Sequence, residues 1–293
     1  MVDGSSAVTV AAESVDAPLF YLQNNNLGIE VDYFSLKDVL RKEAIIGQMS
    51  KIGTAYDAVV YFVGDKNGPD IETESFDRDN LYFPNYINAA IRAGINSNPN
   101  FVLVLQTGSA ILPRGWSHAP ALIEMWYTGE SSGKAIADVL FGKVNPSGKI
   151  SETFMLKDRT DLDYPGDGVK LCYKEKYEVG YRYYDKHPED VWFPFGHGLS
   201  YTKYTDLDLK LSRHHADKDN FDLDVSFSLK NNGMYDGKEL VQLYIAPLDN
   251  IVDRPVKELK RFAKITLKSG EKQKVHFTLN QKDFAYFNTC LHD

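Results

Sequence analysis

Up to about residue 140 the apolar positions come in short solid runs and in helical stripes, whereas after Tyr204 they come at every second residue. The solid runs are Ala58–Val63 (A-V-V-Y-F-V) and Phe101–Leu105 (F-V-L-V-L), with Leu122–Tyr127 as a third candidate strand. Runs without alternation fit strands covered on both faces of a parallel sheet. Helical stripes lie between them. Ile46, Met49 and Ile52 share a face over Glu43–Ile52, and Ile87, Ala90 and Ile91 recur at i, i+3, i+4 between Pro84 and Gly94. Ile136, Val139 and Leu140 follow Ser131–Ser132 and are closed by Gly142; Pro84 at the start of the earlier stripe and glycine at the stop of each are what helices prefer. Ser35 with Asp38 three residues later has the form of a capping box, and Leu27–Phe34 alternates weakly, as a short strand would. Strands alternating with helices predict a mainly parallel sheet with helices on its faces.

Beyond Tyr204, Phe221, Leu223, Val225, Phe227 and Leu229 alternate with Asp222, Asp224, Ser226 and Ser228. Val241–Ile245 and Val275–Leu279 repeat the pattern, and Asn231-Asn232-Gly233 and Ser269-Gly270 punctuate it. This predicts an antiparallel β-sandwich with one wet face per sheet, with about five strands where such sandwiches usually have about seven. Between the two patterns, from about Leu156 to Tyr201, the chain is irregular and rich in Tyr, Gly and Pro. It is too long for a plain connection, so Tyr181, Tyr183, Tyr184, Trp192, Phe193 and Phe195 are expected to pack it. The predicted organisation is an α/β sandwich domain over 1–160, an aromatic linker over 161–204 and a β-sandwich over 205–293.

Charge and composition narrow the function. The 293 residues carry a net charge of −8, which disfavours a nucleic-acid partner. No apolar run approaches the roughly 20 residues of a membrane span, and the first ten residues lack a signal-peptide layout. The 18 tyrosines suit sugar-stacking surfaces and a β-rich core equally. Cys172 and Cys290 stand too far apart for a C-x-x-C site, and their spacing does not decide whether they pair. Gly142–Ile150 resembles a phosphate loop only faintly: its glycines are one residue too far apart, and Ile150 stands where magnesium needs Ser or Thr.

The candidate chemistry lies after the first solid run. Asp65–Arg78 (D-K-N-G-P-D-I-E-T-E-S-F-D-R) carries Glu72, Glu74, Asp77 and Arg78 off the carboxyl end of a core strand, the edge at which open α/β sheets bind ligands. Two Glu in a polar loop are more often simply solvated, and an Asp–Arg pair more often braces a loop. His197 reads as a packed turn residue, and Arg182 and Asp185 read as linker locks. Trp116 and Trp126 fit a sugar site or, more simply, core packing. His214 and His215 would point to opposite faces of a strand, which excludes a shared metal.

Several segments together resemble glycoside hydrolase family 3. Gly133–Gly142 (G-K-A-I-A-D-V-L-F-G), running on into Asn145–Lys149 (N-P-S-G-K), resembles the family's signature. Val179–Asp185 (V-G-Y-R-Y-Y-D) and Phe193–Tyr201 (F-P-F-G-H-G-L-S-Y) are similar to the segment leading into its fibronectin-III-like domain, and Arg254–Leu259 with Phe262 to that domain itself. The likeness is collinear and covers nearly the whole chain.

The resemblance implies a three-part enzyme, a β-glucosidase or β-xylosidase acting from non-reducing ends on a β-linked glucoside or xyloside. A TIM barrel supplies an Asp nucleophile, an α/β sandwich supplies the acid/base carboxylate, and a fibronectin-III-like domain braces them. This chain resembles the second and third parts; it shows no barrel pattern and no Ser-Asp-Trp nucleophile motif. The barrel would then belong to the same enzyme as a further domain or another chain. The family's Glu-x-x-Asp-Arg setting assigns the general acid/base to Glu74, with Asp77 and Arg78 in support and Glu72 as the fallback. Such an acid needs burial or a neighbouring carboxylate to keep its proton at neutral pH. No metal or organic cofactor is implied. The contrasting expectation is a catalytically inert accessory or scaffold, in which the acidic loop is only surface.

Overall fold

The structure, a computed structural model, describes residues 17–36, 42–64, 80–162, 168–217, 220–248 and 252–286. Its first elements are α1 (Pro18–Gln23), α2 (Lys42–Ala55), β1 (Val59–Gly64), α3 (Asn85–Ser97), β2 (Phe101–Gln106), β3 (Ala121–Glu124), α4 (Ser132–Leu140) and β4 (Phe154–Met155). Then follow α5 (Tyr181–Tyr184), β5 (Val191–Phe193), β6 (Tyr204–Asp217), β7 (Asn220–Asn231), β8 (Gly237–Ile245), β9 (Glu258–Leu267), β10 (Lys272–Asn280) and α6 (Gln281–Phe284). They form two compact units. One comprises the residues up to Lys143 with Phe154–Arg159 and Asp190–Phe193; the other comprises Val144–Thr153, Thr160–Glu189 and Pro194 onward.

The first unit is an α/β domain built on a parallel sheet in the order β1-β2-β3. β2 is central, and Phe101, Leu103, Val104 and Leu105 have no exposed surface. Successive side chains of a strand point to opposite faces, so this burial requires cover on both. Phe101 lies against Gly94 of α3 on one face. Val102 and Val104 pack with Ile136 and Leu140 of α4 on the other. The run in β2 is therefore a central strand flanked by helices, whereas β1, at the edge of the described sheet, buries Val59 and Val63 but leaves Val60 exposed.

Three local expectations change. Leu27–Phe34 is not a strand. The buried Asn25 side chain donates to the carbonyls of Leu22 and Ile29 and accepts from Leu27 N, a local bonding pattern that competes with a sheet ladder. In α2, Met49 is buried as expected, but Ile45 is buried while Ile46 is 40% exposed, so Ile45 takes the place that the spacing gave to Ile46. Gly94 does not stop α3, which runs on to Ser97; it is the point of closest approach to Phe101. Of the capping sequence, Asp38 and the residues leading into α2, 37–41, lie outside the described residues.

A short antiparallel pair, β4 with β5, closes an aromatic cluster in this unit. Trp192 meets Trp116 edge-on at 5.3 Å and Phe154 at 6.5 Å, and its indole N–H donates to Ser117 O.

The second unit is an antiparallel sandwich with strand orders β10-β7-β6 and β8-β9. In β7–β10 the register sets Phe277 opposite Val225 and Val275 opposite Phe227. These side chains, with Leu229, Leu279, Val241 and Leu267, form one core between the sheets. The tyrosine-rich segment folds onto this unit. Tyr181 stacks on Phe195 at 4.9 Å, and its hydroxyl accepts from Leu259 N; Arg182 pairs with Glu258 at 3.1 Å and Asp185 with Lys257 at 3.0 Å.

Candidate active site

Because β1, β2 and β3 are parallel, their carboxyl ends share one edge. The register aligns Gly64 with Gln106 and Leu105 with Glu124, so the last residues of the strands form a row. Glu124 ends β3, and its half-buried carboxylate turns back onto the edge. Oε1 accepts from Trp126 N at 2.7 Å and from Thr107 N at 3.4 Å; Oε2 accepts from the Thr107 hydroxyl at 3.1 Å. Thr107 is fully buried. One carboxylate therefore cross-links the ends of β2 and β3.

The residues beyond are held tightly. Trp126 has φ +56°, a left-handed conformation that a bulky residue adopts only when its surroundings impose it. Its amide is tied to Glu124, and its ring meets Phe154 edge-on at 6.0 Å. The Tyr127 ring lies directly over Gly108, where an added Cβ would stand 2.9 Å from Tyr127 Cε2.

The segment with the predicted acid leaves this edge at Gly64. Glu72, Glu74, Asp77 and Arg78 themselves lie outside the described residues, 65–79. Where the chain resumes it is anchored: Leu112 N donates to Leu81 O at 2.8 Å, and Arg114 Nη1 donates to Asn85 Oδ1 at 2.9 Å while its guanidinium lies over the Tyr82 ring. Both flanks of the acidic segment thus belong to the sheet's carboxyl edge and the loop beside it.

The remaining candidates sort by their contacts. Trp116 is fully buried, and its indole N–H donates to Asn88 Oδ1 at 2.6 Å, a core role. Trp126 is half-buried at the edge. His197 sits in a turn closed on Pro194 O, and burial, then the nearby Lys149 charge, pulls its imidazole below the ordinary value. His214 pairs with Asp224 at 3.1 Å on the sandwich's outer face. Cys172 lies in the tyrosine-rich segment, whereas Cys290 falls outside the described residues. Among the described residues no cluster of three or more His, Cys, Asp or Glu could hold a metal ion, and no helix is long and apolar enough to cross a membrane. Sequence reasoning missed Glu124 and Thr107. Its available signal was an acid closing an otherwise apolar strand, A-L-I-E.

An α/β domain with a loaded carboxyl edge, followed along the chain by a fibronectin-III-like sandwich, defines the class of protein. The model of the glycosyl hydrolase family 3 C-terminal domain matches residues 4–201, and that of the fibronectin type III-like domain matches 239–292. This chain belongs to glycoside hydrolase family 3. It is similar to thermostable beta-glucosidase B of Acetivibrio thermocellus, with 41% identity over 86% of this chain and 33% of that protein. A beta-glucosidase of Kluyveromyces marxianus is 41% identical over 84% of this chain and 29% of its own length. Among solved structures, the Kluyveromyces marxianus beta-glucosidase in complex with glucose superposes with a TM-score of 0.77 at 37% identity, covering 86% of this chain and 30% of that one. The Bifidobacterium adolescentis family 3 beta-glucosidase gives 0.85 at 30% identity, covering 97% and 42%. The chain spans about a third of the length of the curated relatives it matches.

Proposed function

We propose that this chain is the acid/base-bearing part of a retaining, exo-acting β-glycosidase that hydrolyses β-glucosides. Glu74 is the general acid/base, Glu72 the fallback, and Asp77 with Arg78 hold the segment through charge-assisted hydrogen bonds. The nucleophilic carboxylate comes from a TIM-barrel domain or chain of the same enzyme. The observation that carries this reading is the acidic segment's departure from the carboxyl end of β1, in a chain matched over most of its length by one family. The relatives' names, all beta-glucosidases, favour glucosides over xylosides.

The chemistry needs two carboxyls about 5–5.5 Å apart, one attacking the anomeric carbon and one protonating the leaving oxygen. The acid matters most when the leaving group is a poor one, and general acid catalysis is worth about 10²–10⁴-fold. In the complete enzyme, Glu74→Gln is expected to cut kcat/KM for an alkyl β-glucoside by about that factor, while dinitrophenyl β-glucoside, whose leaving group needs no proton, is largely spared. Unchanged hydrolysis of both substrates would leave this chain as a scaffold.

A further inference from the structure

The carboxylate of Glu124 is not part of the reading above, yet it ties the edge together. It accepts hydrogen bonds from the end of β2, at Thr107, and from the residues after β3, at Trp126. Gln106, beside Thr107, pairs in register with Gly64, the last residue of β1. One row of the sheet therefore links Glu124 to the residue from which the acidic segment departs. Tyr127, resting on Gly108, and the left-handed Trp126 adjoin the same row.

A carboxylate suits this task. It offers lone pairs in several directions and can serve the backbone N–H of Thr107, its hydroxyl and the backbone N–H of Trp126 together. A glutamine could still serve all three, because the Thr107 hydroxyl that faces Oε2 can accept as well as donate; a leucine of similar size offers no acceptor and would leave the Thr107 and Trp126 amides and the Thr107 hydroxyl facing an apolar side chain. A half-buried polar atom left without its partner disturbs its surroundings more than the mean strength of one bond suggests.

We propose that Glu124 is a positioning residue for the acid/base step: it holds the ends of β2 and β3 in register beneath the point where the catalytic segment leaves β1. The proposal rests on the reading of Glu74 as the acid. It predicts a selective defect. A misplaced acid penalises substrates that need protonation, whereas a merely loosened fold lowers the active fraction for every substrate alike.

The test is made in the complete enzyme with Glu124→Leu and, as a second and milder variant, Thr107→Val, which keeps the shape and removes the hydroxyl donor. Thermal unfolding and tryptophan emission establish that each variant is folded. Glu124→Leu is expected to lower kcat/KM for an alkyl β-glucoside about tenfold or more, since displacements of about 1 Å can cost 10²-fold, and to change that for dinitrophenyl β-glucoside by less than about twofold. Thr107→Val should show the same selectivity at smaller size. Equal losses on both substrates, or no loss in either folded variant, overturn the proposal. Glu74→Gln is run alongside. If it shows the leaving-group-dependent loss and Glu124→Leu does not, only the positioning role fails. If Glu74→Gln has no effect, the acid assignment fails with it.

Discussion

Gly94→Ala should destabilise the α/β unit although helix propensity says the opposite. In an open helix interior, alanine is better than glycine by about 1 kcal/mol. At Gly94, however, the added Cβ would stand 2.2 Å from Phe101 Cε2 and 2.8 Å from Cδ2 and Cζ. Carbon contacts are optimal at about 3.5–4.0 Å. The Phe101 ring has no exposed surface from which to yield, so α3 must lift from the sheet or the ring must leave its rotamer. Overpacking of this kind costs about 1–3 kcal/mol, and overlap this deep belongs at the upper end. The net expectation is a loss of about 2 kcal/mol. Gly47 in α2 provides the control: nothing lies within 4 Å of its Cβ position, so the same substitution there should stabilise by about 0.5–1 kcal/mol. The assay is urea unfolding followed by tryptophan emission. All three tryptophans, Trp116, Trp126 and Trp192, belong to this unit, so the signal reports on it alone. With a slope of about 2 kcal/mol per molar urea, the midpoint should fall by about 1 M for Gly94→Ala and rise for Gly47→Ala. Adding Phe101→Leu should relieve part of the cost, with a coupling of about 1 kcal/mol or more. Equal stabilisation at positions 94 and 47 would refute the reasoning.

The sandwich unit offers two more predictions. Arg261 donates to both oxygens of Asp283 at 2.8 and 2.6 Å, and Asp283 also accepts from Asn280 N in the capping box of α6; Asp283→Ala should cost about 1–2 kcal/mol by calorimetry, and an unchanged melting temperature would sink this reading. The Arg261 guanidinium first, and the Asn280 amide after it, hold the Asp283 carboxyl below the ordinary carboxylate range. Asp224 is also held low, mainly by the Thr278 hydroxyl and then by His276 and His214. A carboxylate with a depressed folded pKa contributes stability above its unfolded value of about 3.9, and loses it as pH falls toward the folded value. Replacing both by Asn should flatten the acid limb of the melting temperature below about pH 4, and an unaltered limb would show that other groups govern it.

Periodicity alone determined much of this protein. The solid runs at 58–63 and 101–105 became parallel strands; the second is apolar throughout because it is covered on both faces, while the first, at the edge of the described sheet, leaves Val60 exposed. The period of two after Tyr204 became the antiparallel sandwich, with Val225, Phe277 and Leu279 inside and Asp224 outside. Short-range chemistry was also legible: an acid-rich segment after a buried strand, and motifs collinear with a known family. What the chain could not show by itself was which residues meet across elements. Gly94 reads as a helix stop, yet the ring of Phe101, on the next strand, makes it a contact point. Ile45 rather than Ile46 is buried because the helix it faces, not its own spacing, sets the stripe. Glu124 is a lone acid in sequence; only parallel pairing brings Thr107 to it from seventeen positions away. Local pattern fixes what each segment can become, whereas register and packing, which depend on partners distant in the chain, decide where a side chain's polar atoms end.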